Sequence, residues 1–457
     1  MNSIKEVCEK LWDLEDELDL MNVEISGVRV WEIIRFTIFS KITSELGYYG
    51  KAHSAPKKDI ISQIKKTCMM VSNSFKKNPF SNSINGQTMI LDHPRKIKIN
   101  NEYIDIYSKA LLDEMNNEDF FVIEYPYLAK HLSDPREKNR SYMDIFYIYS
   151  VLKIPFVIFK FSKDELDLLK RIEEKLHESF RVNMELKKLI YKKIIIFKLK
   201  YYFFDLLLKK KMLSDIILVV SYSNIPLIAA AKDNSINVTE IQHGVITDYH
   251  FAYNFSDPTK NIKYFPDKLL TFGEYWGRTE RFPKQTEIEV YGFPYLNQQL
   301  EKYKGTPKKL KQVLFISQGT IGKELSKQAL ELAQALPDYH FIYKLHPGEY
   351  DRWRTEYPDL VGASRLNNLS VIDHNEKSLY SLFAESEYQV GVYSTAIFEG
   401  LTLDCKTLLF DMPGIEYMQE LIEQGIVEVV QNKEEAVHCL ENYEGTQFSK
   451  GYFFKDK

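Results

Sequence analysis

Three short stretches of this 457-residue chain place a histidine directly after an apolar, β-rich run. They are "LDHPRK" with His93, "EIQHGV" with His243 and "FIYKLHPGEY" with His346. Two of them are His-Pro pairs. Proline cannot donate a ladder hydrogen bond, so a strand should stop there. It also holds the residue before it extended, which presents the imidazole outward at little entropic cost. A histidine so placed can bond a phosphate oxygen, as a cation or as a neutral N–H donor. His243 precedes Gly244, which lets backbone or ligand approach closely. That suits a general base or a hydrogen-bond donor to a transition state. Asp248 is the second candidate base, and His250 is nearby. Each histidine also has a plain reading, a satisfied loop residue.

Other strand ends carry residues of the same kind. Ser317-Gln318-Gly319-Thr320 and Tyr393-Ser394-Thr395 each follow an apolar run and lead into a helix. A helix start offers N–H groups and a positive dipole end, which suits phosphate. Ser394 and Thr395 read either as an N-cap or as hydroxyl donors to that phosphate. Glu399, one turn on, could accept from a ribose diol or stand at the surface. Lys344, two residues before His346, reads as a second phosphate contact or a sheet-edge lysine. His93, Arg95 and Asp105 read equally as holders of an anionic acceptor or as surface residues.

The elements around these residues alternate. "TMIL", "FFVIE", "SDIILVV", "NVTEI", "DKLLTF" and "IEVY" read as strands of the first half. After a polar stretch with a Gly-Thr-Pro break near 300–310, "VLFIS", "YHFIYK", "LSVID", "YQVGV" and "KTLLFD" continue the series, separated by helices. Continuous apolar strands alternating with helices predict buried parallel sheets. The expected fold is therefore α/β, two doubly wound Rossmann-like domains facing a cleft. Residues 1–80 are expected to be helical. Residues 81–305 form the first domain, with a helical insertion at about 162–213. Residues 306–457 form the second, whose last helix could cross back. Ligands of such sheets bind beyond the carboxyl ends of the strands, where the candidate residues fall.

Composition excludes several classes. Lys+Arg 60 against Asp+Glu 64 gives a net charge of −4, with no nucleic-acid signature. Four scattered cysteines without a CxxC pair fit a reducing cytosol and argue against zinc. The acidic first twenty residues lack an apolar h-region and are expected not to be a signal peptide. No GxGxxG, GxxxxGK[ST], Asp-x-Asp or HExxH pattern occurs, so no metal and no cofactor are expected. The cationic, aromatic segment 184–213 is broken by lysines and cannot span a bilayer. It reads as a helix packed by its apolar side, or as an interfacial helix drawn to anionic lipid.

Gln242-His243-Gly244, "PDKLLTFGEYWG" and "IEVYGFPYL", then Lys344-Leu345-His346-Pro347 and Ser394-Thr395 with Glu399, resemble bacterial GT-B glycosyltransferases of capsule and surface-polysaccharide synthesis. The likeness is to Kdo-transferase-like capsule proteins, and more loosely to bacterial sialyl- and polysialyltransferases and CDP-glycerol glycerophosphotransferases. It covers about residues 215–430. It implies a metal-independent transferase in which His346 and Pro347 meet the donor phosphate and nucleotide. Ser394 and Thr395 would hold phosphate, Glu399 the ribose, and His243 the reacting centre. The sialyltransferases carry an acidic pair before glycine where this chain has Gln242-His243-Gly244, which favours the Kdo-like group. A CMP-activated ulosonic acid, such as Kdo or sialic acid, is the preferred donor, and its phosphate and carboxylate call for basic residues facing the cleft. The acceptor would be a surface glycan or lipid-linked glycan, including lipopolysaccharide. The protein would be cytoplasmic, with a peripheral place at the inner face of the plasma membrane through 184–213. A nucleotide-sugar epimerase of the same shape, a CDP-glycerol-type phosphotransferase and a non-catalytic binding subunit remain open.

Overall fold

The structure, a computed structural model, describes residues 3–48, 60–81, 86–94, 96–99, 101–127, 130–134 and 136–455, with backbone alone over 60–66. Two parallel sheets organise it. The first contains β1 (Thr88–Leu91), β2 (Phe120–Glu124), β3 (Arg140–Tyr142), β4 (Asp215–Val219), β5 (Asn237–Ile241), β6 (Lys268–Thr271) and β7 (Glu287–Val290). Its order is β7-β6-β5-β4-β1-β2-β3. The second contains β8 (Lys309–Ile316), β9 (His340–Lys344), β10 (Leu369–Ile372), β11 (Ser386–Gly391), β12 (Lys406–Phe410) and β13 (Glu428–Val430). Its order is β10-β9-β8-β11-β12-β13. Every pairing in both sheets is parallel. All five residues of β2 and the last five of β8 are buried, as strands covered on both faces require. This is the two-domain α/β architecture expected from the sequence. β3, β13 and two short antiparallel hairpins, at 24–29 and 97–104, were not expected.

Each sheet reverses direction once. In the first, the chain winds outward from β1 through β2 and β3, then returns to β4 on the other side of β1. In the second, the reversal lies between β8 and β11. The loops that leave these strand pairs splay apart and open a crevice, which is where open α/β sheets take ligands.

The N-terminal helices α1 (Ile4–Glu17) and α2 (Val30–Glu45) are joined to this frame by a buried ion pair. Val7, Cys8, Leu11 and Trp12 of α1 are buried at helical spacing. On α2, Arg35 and Glu32 are buried among apolar neighbours. Arg35 Nε donates to Glu15 Oε1 at 2.8 Å and its Nη2 to Glu15 Oε2 at 3.2 Å. The same guanidinium donates to the carbonyls of Phe251 and Asn254. It also lies over the rings of Phe251 and Phe255, at 4.0 and 4.2 Å. Trp31 Nε1 donates to Glu15 Oε1 at 2.7 Å. Glu32 accepts the N–H groups of Lys263 and Tyr264. The long β5–β6 connection, residues 242–267, is thus pinned by these two helices.

Further helices cover the first sheet: α3 (Ile60–Lys76), α4 (Ile145–Val157), α5 (Lys163–Phe180), α6 (Leu186–Lys211) and α7 (Ile225–Asp233). α6 buries Ile190, Ile194 and Phe197 in one cluster with α1 and α2, and Phe203, Leu207 and Leu208 in another with α7; it packs on α7, α4, α2 and α5. Toward the C-terminus, residues 450–455 bond back to the first domain. Trp276 Nε1 donates to the Phe453 carbonyl at 2.6 Å, and Lys455 N to that of Phe272 at 2.8 Å. Gly273 allows this approach: a Cβ there would lie 2.5 Å from the Phe453 carbonyl carbon.

Removing one partner of a buried ion pair leaves the other charge stranded. Arg35→Met should therefore cost about 3–5 kcal/mol, measured by urea unfolding. A loss below about 1 kcal/mol would show that the loop does not depend on this anchor.

Candidate active site

A cleft of about 410 Å³ opens between the strand ends of the two sheets, at the switch point of the second and beside that of the first. From the first domain it is lined by His243, Gly244, Val245 and His250, and from α2 by Phe36, Phe39 and Ser40. From the second domain come Gln318, Thr320, Tyr393, Ser394, Thr395 and Tyr417. A Cβ on Gly244 would stand 3.5 Å from Thr395 Oγ1, so the two strand-end loops nearly touch.

His243 is placed by its neighbour. The buried Gln242 accepts the Phe272 N–H at 2.7 Å and donates to the Gly244 carbonyl at 2.8 Å. One amide thus ties the turn after β5 to the end of β6. Around the His243 ring stand His93 and Tyr107, each 6.4 Å away by ring centroids, and Tyr222 at 6.1 Å. His250 lies parallel to Phe36 at 5.9 Å and is 4.9 Å from Tyr253. Burial pushes the pKa of His250 down to about 4, so it is neutral at physiological pH. Its Nδ1 is buried without a hydrogen-bond partner among the described residues.

Opposite, α11 (Thr395–Thr402) starts at the cleft, following α8 (Pro294–Tyr303), α9 (Gly322–Ala335) and α10 (Leu379–Glu385) in the chain. Ser394 is its N-cap, with Oγ accepting from Ala396 N at 3.2 Å. Thr395 presents its hydroxyl to the cleft. Thr320 Oγ1 is 2.8 Å from Tyr393 Oη. Tyr393 in turn packs on Tyr417 and against Gly414, where a Cβ would fall 2.2 Å from the ring. Gly414 sits at φ 101°, a backbone conformation that favours glycine.

The remaining expected residues fall elsewhere, each for a physical reason. Ser317 is buried and donates to Glu349 Oε1 at 3.0 Å, so its hydroxyl braces the loop. Gly319 offers its carbonyl to Arg352 and lines an adjoining pocket of about 440 Å³ with Lys323 and Arg352. His346 and Pro347 do not line the 410 Å³ cleft. His346 instead caps a short 3₁₀ turn: its Nδ1 accepts Gly348 N at 3.1 Å, and its own N–H goes to Glu349 Oε2. That leaves Nε2 as the N–H of the neutral, solvent-exposed ring. The fully buried Glu349 holds the unit together by also accepting from Tyr357 Oη at 2.7 Å.

Lys344 is not a sheet-edge lysine. β9 lies between β8 and β10, and Lys344 Nζ donates to Tyr350 Oη and the His374 carbonyl. Burial lowers its pKa to about 8. Asp248 is exposed among Glu280, Glu420 and Glu423, outside the cleft lining, which corrects its placement as a second base. Asp105 is buried and accepts from His93 N, Tyr107 N and Ser108 Oγ, so it shapes the His93 loop and is no surface acceptor contact. Arg95 lies outside the described residues. No lysine or arginine lines the 410 Å³ cleft among the described residues, contrary to the basic lining expected.

Three wall residues, Phe36, Phe39 and Ser40, were not foreseen. The signal available was the pair Glu32 and Arg35 in "VWEIIRFTIF", charges in an otherwise apolar run that mark a helix with a buried polar duty. Glu399 is half-buried on the α11 turn next to the cleft, hydrogen-bonded to Tyr380. Burial raises its pKa to about 7.

No protein-family model matches this sequence. No curated protein matches it either. Among solved structures, the UDP-GlcNAc 2-epimerase of Methanocaldococcus jannaschii is similar at 12% identity, covering 80% of this chain and 96% of that one, with a TM-score of 0.47. The UDP-GlcNAc 2-epimerase of Neisseria meningitidis, bound to UDP-GlcNAc, is similar at 14% identity, covering 78% and 90%, with a TM-score of 0.42. MurG of Acinetobacter baumannii is similar at 9% identity, covering 78% and 91%, with a TM-score of 0.43.

The Glu399 carboxyl has a direct consequence for stability against pH. Its folded pKa lies above the ordinary 4.5, so burial of the neutral form stabilises fully below pH 4.5 and that contribution fades as pH rises through 7. Between pH 4.5 and 7, wild type should lose at most about 3 kcal/mol relative to Glu399→Gln, at about 1.4 kcal/mol per pKa unit. Unfolding midpoints of both proteins across this range measure it. A constant difference would show that Glu399 is solvated.

Proposed function

We propose that this chain is a metal-independent glycosyltransferase that moves a sugar from a nucleotide donor to a surface glycan or glycolipid acceptor. The observation that carries the reading is one cleft between the strand ends of the two sheets, with His243 on one side and the start of α11 on the other. The donor phosphate would lie at Thr395, Ser394 and Thr320. Hydroxyls and the N-terminal dipole of α11 would stabilise the charge that develops on the leaving oxygen. His243 would accept the acceptor hydroxyl proton as the new C–O bond forms at the anomeric carbon. The old anomeric C–O bond breaks with its electron pair passing to the phosphate. Phe36, Phe39 and Phe251 would exclude water, which otherwise competes as acceptor. Glu399, one turn into α11, would meet the ribose.

A CMP-linked ulosonic acid is the preferred donor. The motif order supports it.

A thermal-shift panel of CMP, CDP, UDP and GDP should show selective stabilisation by CMP, and preference for UDP would sink the donor assignment. With a CMP-ulosonic donor and acceptor, His243→Ala should lower turnover by at least about 100-fold while the CMP shift persists. Thr395→Val should mainly raise the donor KM. Release of a free epimer without any glycosylated product would overturn transfer in favour of epimerisation.

A further inference from the structure

The surface of α4 is unlike the rest of the molecule. Its inner side packs through Phe146 and Tyr149 on Phe203 of α6, at 5.4 Å each. Its outer side is apolar and open: Val151 is 72% exposed, Leu152 67%, Phe156 80% and Ile158 60%. Every residue from 151 to 156 is exposed. A contiguous apolar ridge of this kind on a water-facing helix marks a docking surface. The ridge runs on in sequence into Phe159, Lys160 and Phe161. With Met184 and Tyr191, these line a groove of about 750 Å³ between α5 and α6. Phe159 stacks on Tyr191 at 5.1 Å and forms one wall.

The charges within the ridge segment have one sign. Between Asp144 and Asp164 the sequence holds no acid and three exposed lysines, Lys153, Lys160 and Lys163. Lys187 and Lys188 stand at the groove rim. The two rim acids are engaged, Glu173 with the Leu186 N–H at 2.5 Å and Glu185 with Lys188 at 3.7 Å. No helix among the described residues is long and apolar enough to cross a membrane. Apolar side chains with a lysine fringe instead suit the plane of an anionic bilayer, with the rings among acyl chains and the ammonium groups among phosphates. A second copy fits poorly, because a two-fold contact through this face would set the same lysines against one another.

We propose that the α4 ridge, with the groove between α5 and α6, docks this protein on an anionic lipid bilayer, the groove taking an acyl chain. The basic helix α6 is then a packed support, and α4 is the inserted element. This inference does not rest on the reaction proposed above.

Co-sedimentation of the full chain with phosphatidylglycerol-rich vesicles tests it, with phosphatidylcholine vesicles as reference. Wild type should bind the anionic vesicles at least tenfold better, and less so at high salt. Val151→Ser/Leu152→Ser/Phe156→Ser should lower that binding at least tenfold with an unchanged melting temperature. Lys153→Gln/Lys160→Gln/Lys163→Gln should bring it to the phosphatidylcholine level. Leu152→Trp, a single exposed change, should give a blue-shifted emission on adding anionic vesicles. Vesicle binding that ignores both triple variants, an unshifted Leu152→Trp emission, or a wild-type dimer that the serine variant dissolves without any vesicle binding would each overturn the proposal.

Discussion

One buried guanidinium fixes most of what the first domain presents to the cleft. A charged arginine 3% exposed is costly unless its donors are used. Arg35 uses them on the Glu15 carboxylate and on the carbonyls of Phe251 and Asn254. Those carbonyls belong to the loop that begins at His243. A connection as long as 242–267, without helix or strand, needs such external bonds to hold one conformation. Trp12 adds a 3.4 Å bond to the Asn254 carbonyl, and Asn254 itself donates to Thr247 O at 2.7 Å. The N-terminal helices are therefore part of the site: they hold the loop from outside and line the cleft from inside through Phe36, Phe39 and Ser40.

The second constraint is topological. Strand-end loops open toward the crevice where strand order reverses. β8 and β11 border the reversal of the second sheet, and Thr320 and Thr395 meet the cleft. The His-Pro motif after β9 folds on itself around Glu349 instead. In the first sheet the reversal lies between β1 and β4, whose loops carry His93 and Tyr222, and the His243 loop that lines the cleft follows β5, one strand further out. The His93 and Tyr222 rings both pack near His243.

This rule also explains what could be read from the sequence. The strand–helix alternation was legible because parallel strands buried on both faces are nearly continuous apolar runs. The strand-end loops were legible because Gly, Ser and His interrupt those runs. Strand order was not, since it depends on contacts between residues far apart in the chain. His346 and Thr395 therefore looked equivalent. Asp105 and Ser317 misled for a related reason: a polar residue just after an apolar run reads alike whether it touches ligand or braces a loop. β3 was missed because "RSY" has no alternation and lies at the sheet edge. Its Arg140 is committed to a buried network with Asp92 and Glu124, a long-range pairing no local pattern announces.

The neutral lining ties these constraints together. Helix dipoles and hydroxyls act over about a turn, whereas a lysine on a flexible stem can reach for its anion. A cleft lined without such reach works only if the gap between the domains is set closely. The structure sets it through the same N-terminal helices. Ile4 N, in the first turn of α1, donates at 2.7 Å to Glu416 Oε1 of the second domain, and Glu416 Oε2 accepts Gly414 N at 3.0 Å. Gly414 is the residue against which Tyr393 packs. One end of the helical pair thus holds the Tyr393–Thr395 loop, and the other holds the His243 loop. The two loops approach so closely that Gly244 has room for little more than a methyl group before Thr395. The spacing of His243 from the start of α11 follows from that bracing.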